Sequence, residues 1–486
     1  MPIRPHLHLL LAGLVLFAGC GEPERGPIMV SAIGGAPDLV NPNLERLDPA
    51  SAFLLEATAQ GLVHFDPLGQ VEPALAQSWI VSDDGLRYTF RLARVEWASG
   101  GPVTAQQVVQ RLNAASSLAS SNALKPILGA IAEIEAMTDE VLEIRLVGPR
   151  PNFLQILAQP EMAIIRNGAG TGPYRAVPAE GGAVRLSLPA GDEDAEAAAD
   201  AVSSDLVLRG ESAAMAVARF DQGGADFVTG GTAGDLPIAR AAEPAGAALR
   251  FDPAPGLFGL AFADGSDAVA DPALRRALSM TVDRAALVGA LGVANLQPRA
   301  TIVPPGVADL PAPAVPDWAS TTLAARRQRA ARTIADAAGD EPLALRVAMP
   351  EGPGYRLLFA HLRRDWRLIG VEAERVDADA DADLRLVDAV APANLASWYL
   401  RRFSCGRGAG VCSEEADAAL AAARSAADAE ERQSQLAAAD RLLTDAVAFI
   451  PLAAPVRWSL VSPRLTGFQP NPFARHFAGR LVDEAP

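Results

Sequence analysis

The sequence predicts an α/β protein of two or three domains, and three observations carry that prediction. The chain has 486 residues, more than one hydrophobic core supports. Leu343–Met349, a helix over Tyr355–Ile369 and Val371–Val376 read as a β-α-β unit, which demands parallel strand pairing. Residues 60–109 read as short strands punctuated by turns and running into a helix. Half of the residues are hydrophobic and 21% are charged, a balance that suits packed cores rather than disorder.

The stretch 60–109 is the most structured part of the pattern. Asp83-Asp84-Gly85 is a hairpin signal. Tyr88, Phe90 and Leu92 alternate with Arg87, Thr89 and Arg91, the period of a strand with one buried face. Gly100-Gly101-Pro102 breaks that strand. Thr104 stands three residues before Gln107, a capping box, and Val108, Val109 and Leu112 supply the apolar face of the helix that follows.

The rest of the chain follows in order. Ile28–Ile33 is a strand ended by Gly34-Gly35, and residues 51–60 form a helix. Residues 105–118 and 120–131 are predicted as helices and Val141–Leu146 as a strand. The glycines of Asn167–Arg175 do not make a phosphate loop, because Pro173 and an extended segment follow where a helix is required. Asp205–Arg209 is a strand and Ala213–Phe220 a helix; a turn and strand follow over 223–228, and Leu257–Phe262 is a further strand. Asp271-Pro272 opens a helix. Residues 413–447 are two Ala-rich helices, the second capped by Asp428 with Glu431 three residues on.

Charge and termini bound the function. With 42 basic and 58 acidic residues the net charge is −16, which excludes nucleic acid as a partner because phosphate neutralisation needs basic patches. Residues 1–19 read as a signal peptide: Arg4 precedes the apolar run Leu7–Phe17, which is too short to span a bilayer. Leu16-Phe17-Ala18-Gly19-Cys20 resembles a bacterial lipobox, with Cys20 as the site of lipid attachment; the other reading is an ordinary secretory signal with an incidental Cys. Cys405 and Cys412 read as a small disulfide in an oxidising compartment, or as free thiols or half a metal site. No metal and no cofactor is expected: the spacing is not that of a zinc site, and Asp377–Asp383 lacks the Gly and Glu of a calcium loop.

The run GLVHFDPLGQVEPALAQSWIVSDDGLRYTFRL, followed by VEWASGGPVTAQQVV, resembles one family closely: the peptide-binding extracytoplasmic proteins of ABC transporters, solute-binding protein family 5. Trp97, Gly101, Pro102, Thr104, Ala105 and Val108 match its "W.dG.P.TA.DV" helix start, with Gln107 where the family has an acidic residue. Further matches run from Leu39-Val40-Asn41-Pro42 through Gly172-Pro173-Tyr174-Arg175, Asp283-Arg284 and Ile450-Pro451-Leu452 to Leu465-Thr466-Gly467-Phe468. Asp283 and Arg284 are read as structural.

The resemblance implies a two-lobed periplasmic-binding-protein-like α/β fold (class II, cluster C) with an extra subdomain in the first lobe. Lobe I is placed at 21–60, 166–255 and 456–486, the subdomain at 61–165 and lobe II at 256–455. It also implies a non-enzymatic, monomeric, lipid-anchored receptor on the periplasmic side of a bacterial envelope. Such a receptor captures a peptide or another small solute between its lobes and delivers it to ABC permease subunits. The alternatives are a sensory binding protein for a non-peptide solute and a secreted hydrolase, although no nucleophile elbow or metalloprotease motif is visible.

In that family an Asp holds the peptide's amino terminus, and aligning Pro392 with the motif's Pro puts Asp388 at that position. Arg385 and Ala389 replace the motif's Trp and Tyr, and Asp388 reads equally as a strand-end residue. Trp398 and Tyr399 read as cleft aromatics and Arg401 and Arg402 as carboxylate receivers, or together as a packed helix with exposed cations. Gly34 and Gly35 read as a place where a ligand backbone approaches, or as an ordinary strand-ending turn.

Overall fold

The computed structural model describes residues 26–189, 205–242, 248–266, 269–338, 342–406 and 410–481. Cys20 and residues 1–19, read above as a signal peptide, lie outside the described residues. Two large sheets organise the chain. The first holds, in order, Leu249–Asp252, Arg457–Val461, Phe227–Thr232, Ile28–Ile33, Leu206–Glu211, Val184–Ser187 and Arg175–Pro178. Ile28–Ile33 is its centre and pairs in parallel with both neighbours. The second holds Val371–Val376, Leu343–Ala348, Leu384–Val390, Gly256–Phe262 and Phe449–Ala453. Leu343 pairs in parallel with Val371, with helix Pro353–Arg367 as the crossover.

Between Val63 and Leu146 the chain leaves the first sheet and builds a four-stranded antiparallel sheet of its own, in the order Ala76–Val81, Arg87–Leu92, Val141–Leu146, Ile131–Ala136. Its helix Ala105–Ser116 begins with the capping box: Gln107 N donates to Thr104 Oγ1, and Thr104 N donates to Gln107 Oε1 at 3.2 Å. Trp97 Nε1 donates to the same Gln107 oxygen at 2.9 Å, so one side chain closes both the helix start and the loop before it. Residues 120–131 are not the predicted helix. Only Lys125–Leu128 is helical, and Ile131–Ala136 is a strand whose register slips between Ile131 and Glu133. That bulge breaks the alternation by which a strand is recognised.

Two cores serve the large sheets, and the larger continues from the second sheet into the first through Val228, Leu236, Trp458 and Leu460. Ile28, Val30, Leu54, Leu206, Leu208 and Phe227 are among those packed in the smaller, and Leu260, Leu278, Val347, Leu362, Trp366 and Ile450 among those packed in the larger. Arg284 is buried in the second lobe, where its Nε donates to Pro451 O at 2.7 Å and its guanidinium lies 5.2 Å from the Trp318 ring. Asp283 caps the helix that Arg284 begins. Among the described residues no helix is long and apolar enough to cross a membrane.

Candidate functional site

The chain crosses between the two large sheets at two short segments, Pro253-Ala254-Pro255 and Ala454-Pro455-Val456. Three prolines in six residues fix backbone torsions there and withhold N–H groups from either sheet, so both sheets end cleanly. Gly256 follows the first crossing, and a Cβ on it would meet Ala389 O at 2.0 Å.

A cavity of about 1040 Å3 opens between the lobes, at the upper end of the roughly 300–1,000 Å3 of small-molecule sites. Arg46, Phe473 and Arg475 line it from lobe I, while Ser120–Ile127, Gln159 and Glu161 line it from the inserted subdomain. Lobe II supplies Leu257, the strand Leu384–Val390 and its continuation, and the segment Trp398–Phe403. Contacts between the inserted subdomain and lobe II hold the walls together. Asn152 Nδ2 donates to Asn394 O at 2.7 Å, and Gln159 Nε2 to Pro392 O at 2.7 Å. Arg432 donates to Pro149 O.

The cavity's charge is opposite to that of the molecule. Six cations line it (Arg46, Lys125, Arg385, Arg401, Arg402 and Arg475) against Glu161, Asp264 and Asp381, in a chain of net charge −16. Lys125 Nζ donates to the carbonyls of Leu118 and Ser120, and Arg385 to those of Ala378 and Ala380. Arg401 Nη2 donates to Leu420 O at 3.1 Å, and Arg475 faces Glu161 at 3.6 Å. Arg402 is exposed to the cleft; the protein packed around its guanidinium, and then the like charge of Arg46, hold it below the usual arginine range.

Asp388 stands elsewhere. Of residues 385–392 it alone does not border the cavity. Its side chain is 8% exposed, and both carboxylate oxygens are taken. Arg457 Nη1, from the lobe I sheet, donates to Oδ1 at 2.7 Å, and Tyr355 Oη donates to Oδ2 at 2.8 Å. Burial, then the Asp388 charge, pushes the Tyr355 hydroxyl far above its ordinary value, so it stays a donor. Asp388 is thus placed as a strut across the crossover segments, facing Arg457 and Tyr355 rather than the cavity.

The aromatic pair divides. Trp398 borders the cavity, packs against both the lobe II core and the subdomain core, and meets Tyr399 edge-on at 4.9 Å. Tyr399 is buried in lobe II and does not border the cavity; burial pushes its hydroxyl up to about 12, partly offset by Arg299. Gly34 and Gly35 also lie outside the lining. Gly34 has φ +151, and a Cβ on neighbouring Gly210 would come within 1.6 Å of Gly35 O. The close approach the glycines permit is between the protein's own strands.

Cys405 and Cys412 are joined by a disulfide, with Cα atoms 5.2 Å apart. Their loop lies immediately after Arg402 and Phe403 and carries Gly410 and Val411, all four on the cavity wall. Asp417 Oδ2 accepts from Cys405 N at 2.9 Å and ties the loop to the following helix. Among the described residues no group of three metal-ligating side chains comes together. Arg46, the 120–127 wall, Glu161 and Arg475 are among the lining residues that sequence reasoning misses; they sit in loops or in helices of three or four residues, too short for a periodic pattern to mark them.

The model of the bacterial extracellular solute-binding proteins, family 5, matches residues 70–400. The chain belongs to that family. Its family 5 relatives include the glutathione-binding protein GsiB of Escherichia coli K12, 32% identical over 170 residues. The probable deoxycholate-binding periplasmic protein YgiS of the same strain is 30% identical over 148 residues. These alignments cover 30% and 26% of this chain and 33% and 27% of the relatives, so each spans about a third of the relative's length or less.

Solved structures match across nearly the whole chain. Haemophilus influenzae OppA in complex with RPPGFSPFR superposes at a TM-score of 0.80 with 17% identity, covering 93% of this chain and 98% of that one. The murein tripeptide binding protein MppA of Escherichia coli gives 0.78 with 20% identity, covering 93% and 97%. AgaA of Agrobacterium tumefaciens R10, in complex with agropinic acid, gives 0.74 with 17% identity, covering 95% and 99%. The two-lobed fold of family 5 is therefore the fold of this chain.

Proposed function

We propose that this chain is a lipid-anchored receptor that captures a peptide-like solute between its lobes and hands it to an ABC importer. The observation that carries this reading is the cavity of about 1040 Å3, walled by both lobes and the inserted subdomain around two proline-fixed crossings. Binding then consists of closure about those crossings, with no bond made or broken. The relatives and matched structures are named for peptides, glutathione, deoxycholate and agropinic acid, so the solute class is the open variable.

A thermal-shift screen of the purified protein tests the reading. A true ligand at 100 times its dissociation constant adds about 2.7 kcal/mol of stability. A shift with pools of short peptides supports the peptide assignment; silence with peptides and a shift with another solute class rejects it in favour of a non-peptide receptor. Cys20→Ala abolishes incorporation of labelled lipid if the anchor is Cys20, and persistent labelling rejects the anchor.

A further inference from the structure

We propose that a monatomic anion of the halide class, chloride above all, binds in a second, smaller cavity between the inserted subdomain and lobe II, held by Arg150, Arg424 and Arg432, and that it fastens the two units together. This goes beyond the receptor reading and stands whatever the solute is. Arg150 follows the subdomain strand Val141–Leu146, Arg424 lies in the last turn of helix Glu414–Ser425, and Arg432 lies near the start of helix Ala429–Asp445. All three border a cavity of about 30 Å3, which adjoins the solute cavity at Pro126, Ile127 and Arg401. That volume is about the share of one molecule in liquid water. It takes a monatomic ion and is too small for a tetrahedral oxyanion.

Hydrogen bonds bring the three guanidinium groups together without a counter-charge. Arg150 Nη1, at 3.0 Å, and Arg432 Nη1 donate to the same oxygen, Pro149 O, so the two groups converge on one acceptor. Arg150 Nη2 donates to Arg424 O at 3.0 Å. The Arg424 side chain reaches the subdomain, where a Cβ on Gly129 would lie 3.9 Å from its Nη1. These acceptors are neutral carbonyls, and among the described residues none of the three arginines makes an ion pair. Arg432 is 6% exposed, and its Nε, like that of Arg424, is buried with no hydrogen-bond partner. Asp309 is the one carboxylate of the described lining; its Oδ1 accepts from Ala396 N at 2.9 Å, and it pairs with no arginine. Burial, then the charge of Arg432, lowers Arg150 to about 10, which keeps it a cation at neutral pH. A water molecule in the cavity would meet the open Nε donors and leave the cations uncompensated. An anion does both, and an uncompensated buried charge is the costlier defect. The anion finds cations of both units only where they meet, so it stabilises that arrangement.

The test follows the melting temperature of the purified protein as sodium chloride or sodium bromide replaces sodium gluconate at constant ionic strength. It is run on wild type, R424Q, R432Q and D309N, with R363Q/R367Q on the exposed face of Pro353–Arg367 as control. Anomalous scattering from bromide-soaked crystals locates the ion. The proposal expects a saturating halide shift in wild type and the control, with a midpoint at least threefold higher in R424Q and in R432Q. In D309N the amide still accepts from Ala396 N while the opposing charge is gone, and the midpoint falls at least threefold. The bromide peak lies among Arg150, Arg424 and Arg432. R424Q keeps the backbone carbonyl that Arg150 uses, so it decides the matter should R432Q, which loses its bond to Pro149 O, not fold. Equal melting in halide and gluconate with no bromide peak overturns the proposal and assigns the cavity to water. A halide shift that R424Q and D309N leave unchanged overturns it, as does a bromide peak found only elsewhere. A peak in the cavity without a thermal shift overturns the fastening.

Discussion

Asp388 shows how much depends on the partners a side chain takes. Its neighbours 385–387 and 389–392 all border the cavity, while its own carboxylate joins Arg457 and Tyr355 across the lobes. Removing one partner of a buried pair leaves the other charge uncompensated, so Asp388→Asn is predicted to lower unfolding free energy by about 3 kcal/mol. The loss is present without any solute, and the affinity for a bound solute changes by less than threefold. Chemical denaturation and calorimetry on the same variant check both; a tenfold loss of affinity with unchanged stability instead restores Asp388 to a ligand role.

A second carboxyl sets a pH dependence. Asp440, fully buried in lobe II, accepts from Ala314 N at 2.6 Å, and burial pushes it up to about 6. Folding raises this pKa, so the stabilisation is fully present below the unfolded value near pH 4 and is lost as pH rises through about 6. The swing is about 3 kcal/mol at most, from about 1.4 kcal/mol for each pH unit between those values. Asp440→Asn keeps an acceptor for Ala314 and removes the charge. It is predicted to raise the melting temperature at pH 8 and to have little effect at pH 4, which thermal melts at the two pH values check.

At the scale of elements, what sequence reasoning reaches follows from periodicity and caps. Ile28–Ile33 and Val141–Leu146 fall where their patterns put them, and Asp271 and Asp428 cap the helices they precede. The strand Ile131–Ala136 was not legible because its bulge shifts the alternation. Of the cavity wall, Trp398, Arg401 and Arg402 were legible from a short helical segment, whereas Tyr399 and Asp388, singled out beside them, do not border it. Arg46, Ser120–Ile127 and Arg475 reach it from segments whose positions depend on long-range folding rather than local pattern.

The Cys405–Cys412 loop joins stability to the site, because its closure constrains the wall that carries Arg402 and Phe403. For a cysteine separation of seven residues, the chain-entropy argument gives about 2–3 kcal/mol. Cys405→Ser/Cys412→Ser is predicted to lose that much on denaturation and to bind solute at least threefold more weakly at a temperature where the variant is fully folded. Unchanged affinity separates the disulfide from the site.

At the scale of the molecule, three cores surround one cavity. The crossings at 253–255 and 454–456 join the large sheets, the Asp388–Arg457 pair spans them, and the subdomain closes the far side through Asn152 and Gln159. This arrangement turns a solute's contacts with two walls into one closed state, since a ligand shifts an equilibrium only by what it contributes differently to the two states. Filling the space between the walls therefore removes binding. Ala389 lies on the cavity wall beside Asp388, and its replacement by Trp occupies that space. The direct measurement is calorimetric titration of wild type and Ala389→Trp with whichever solute gives the largest thermal shift. A loss of at least tenfold in affinity, with the fold retained by circular dichroism, is the predicted result; undiminished binding by Ala389→Trp contradicts the interlobe site.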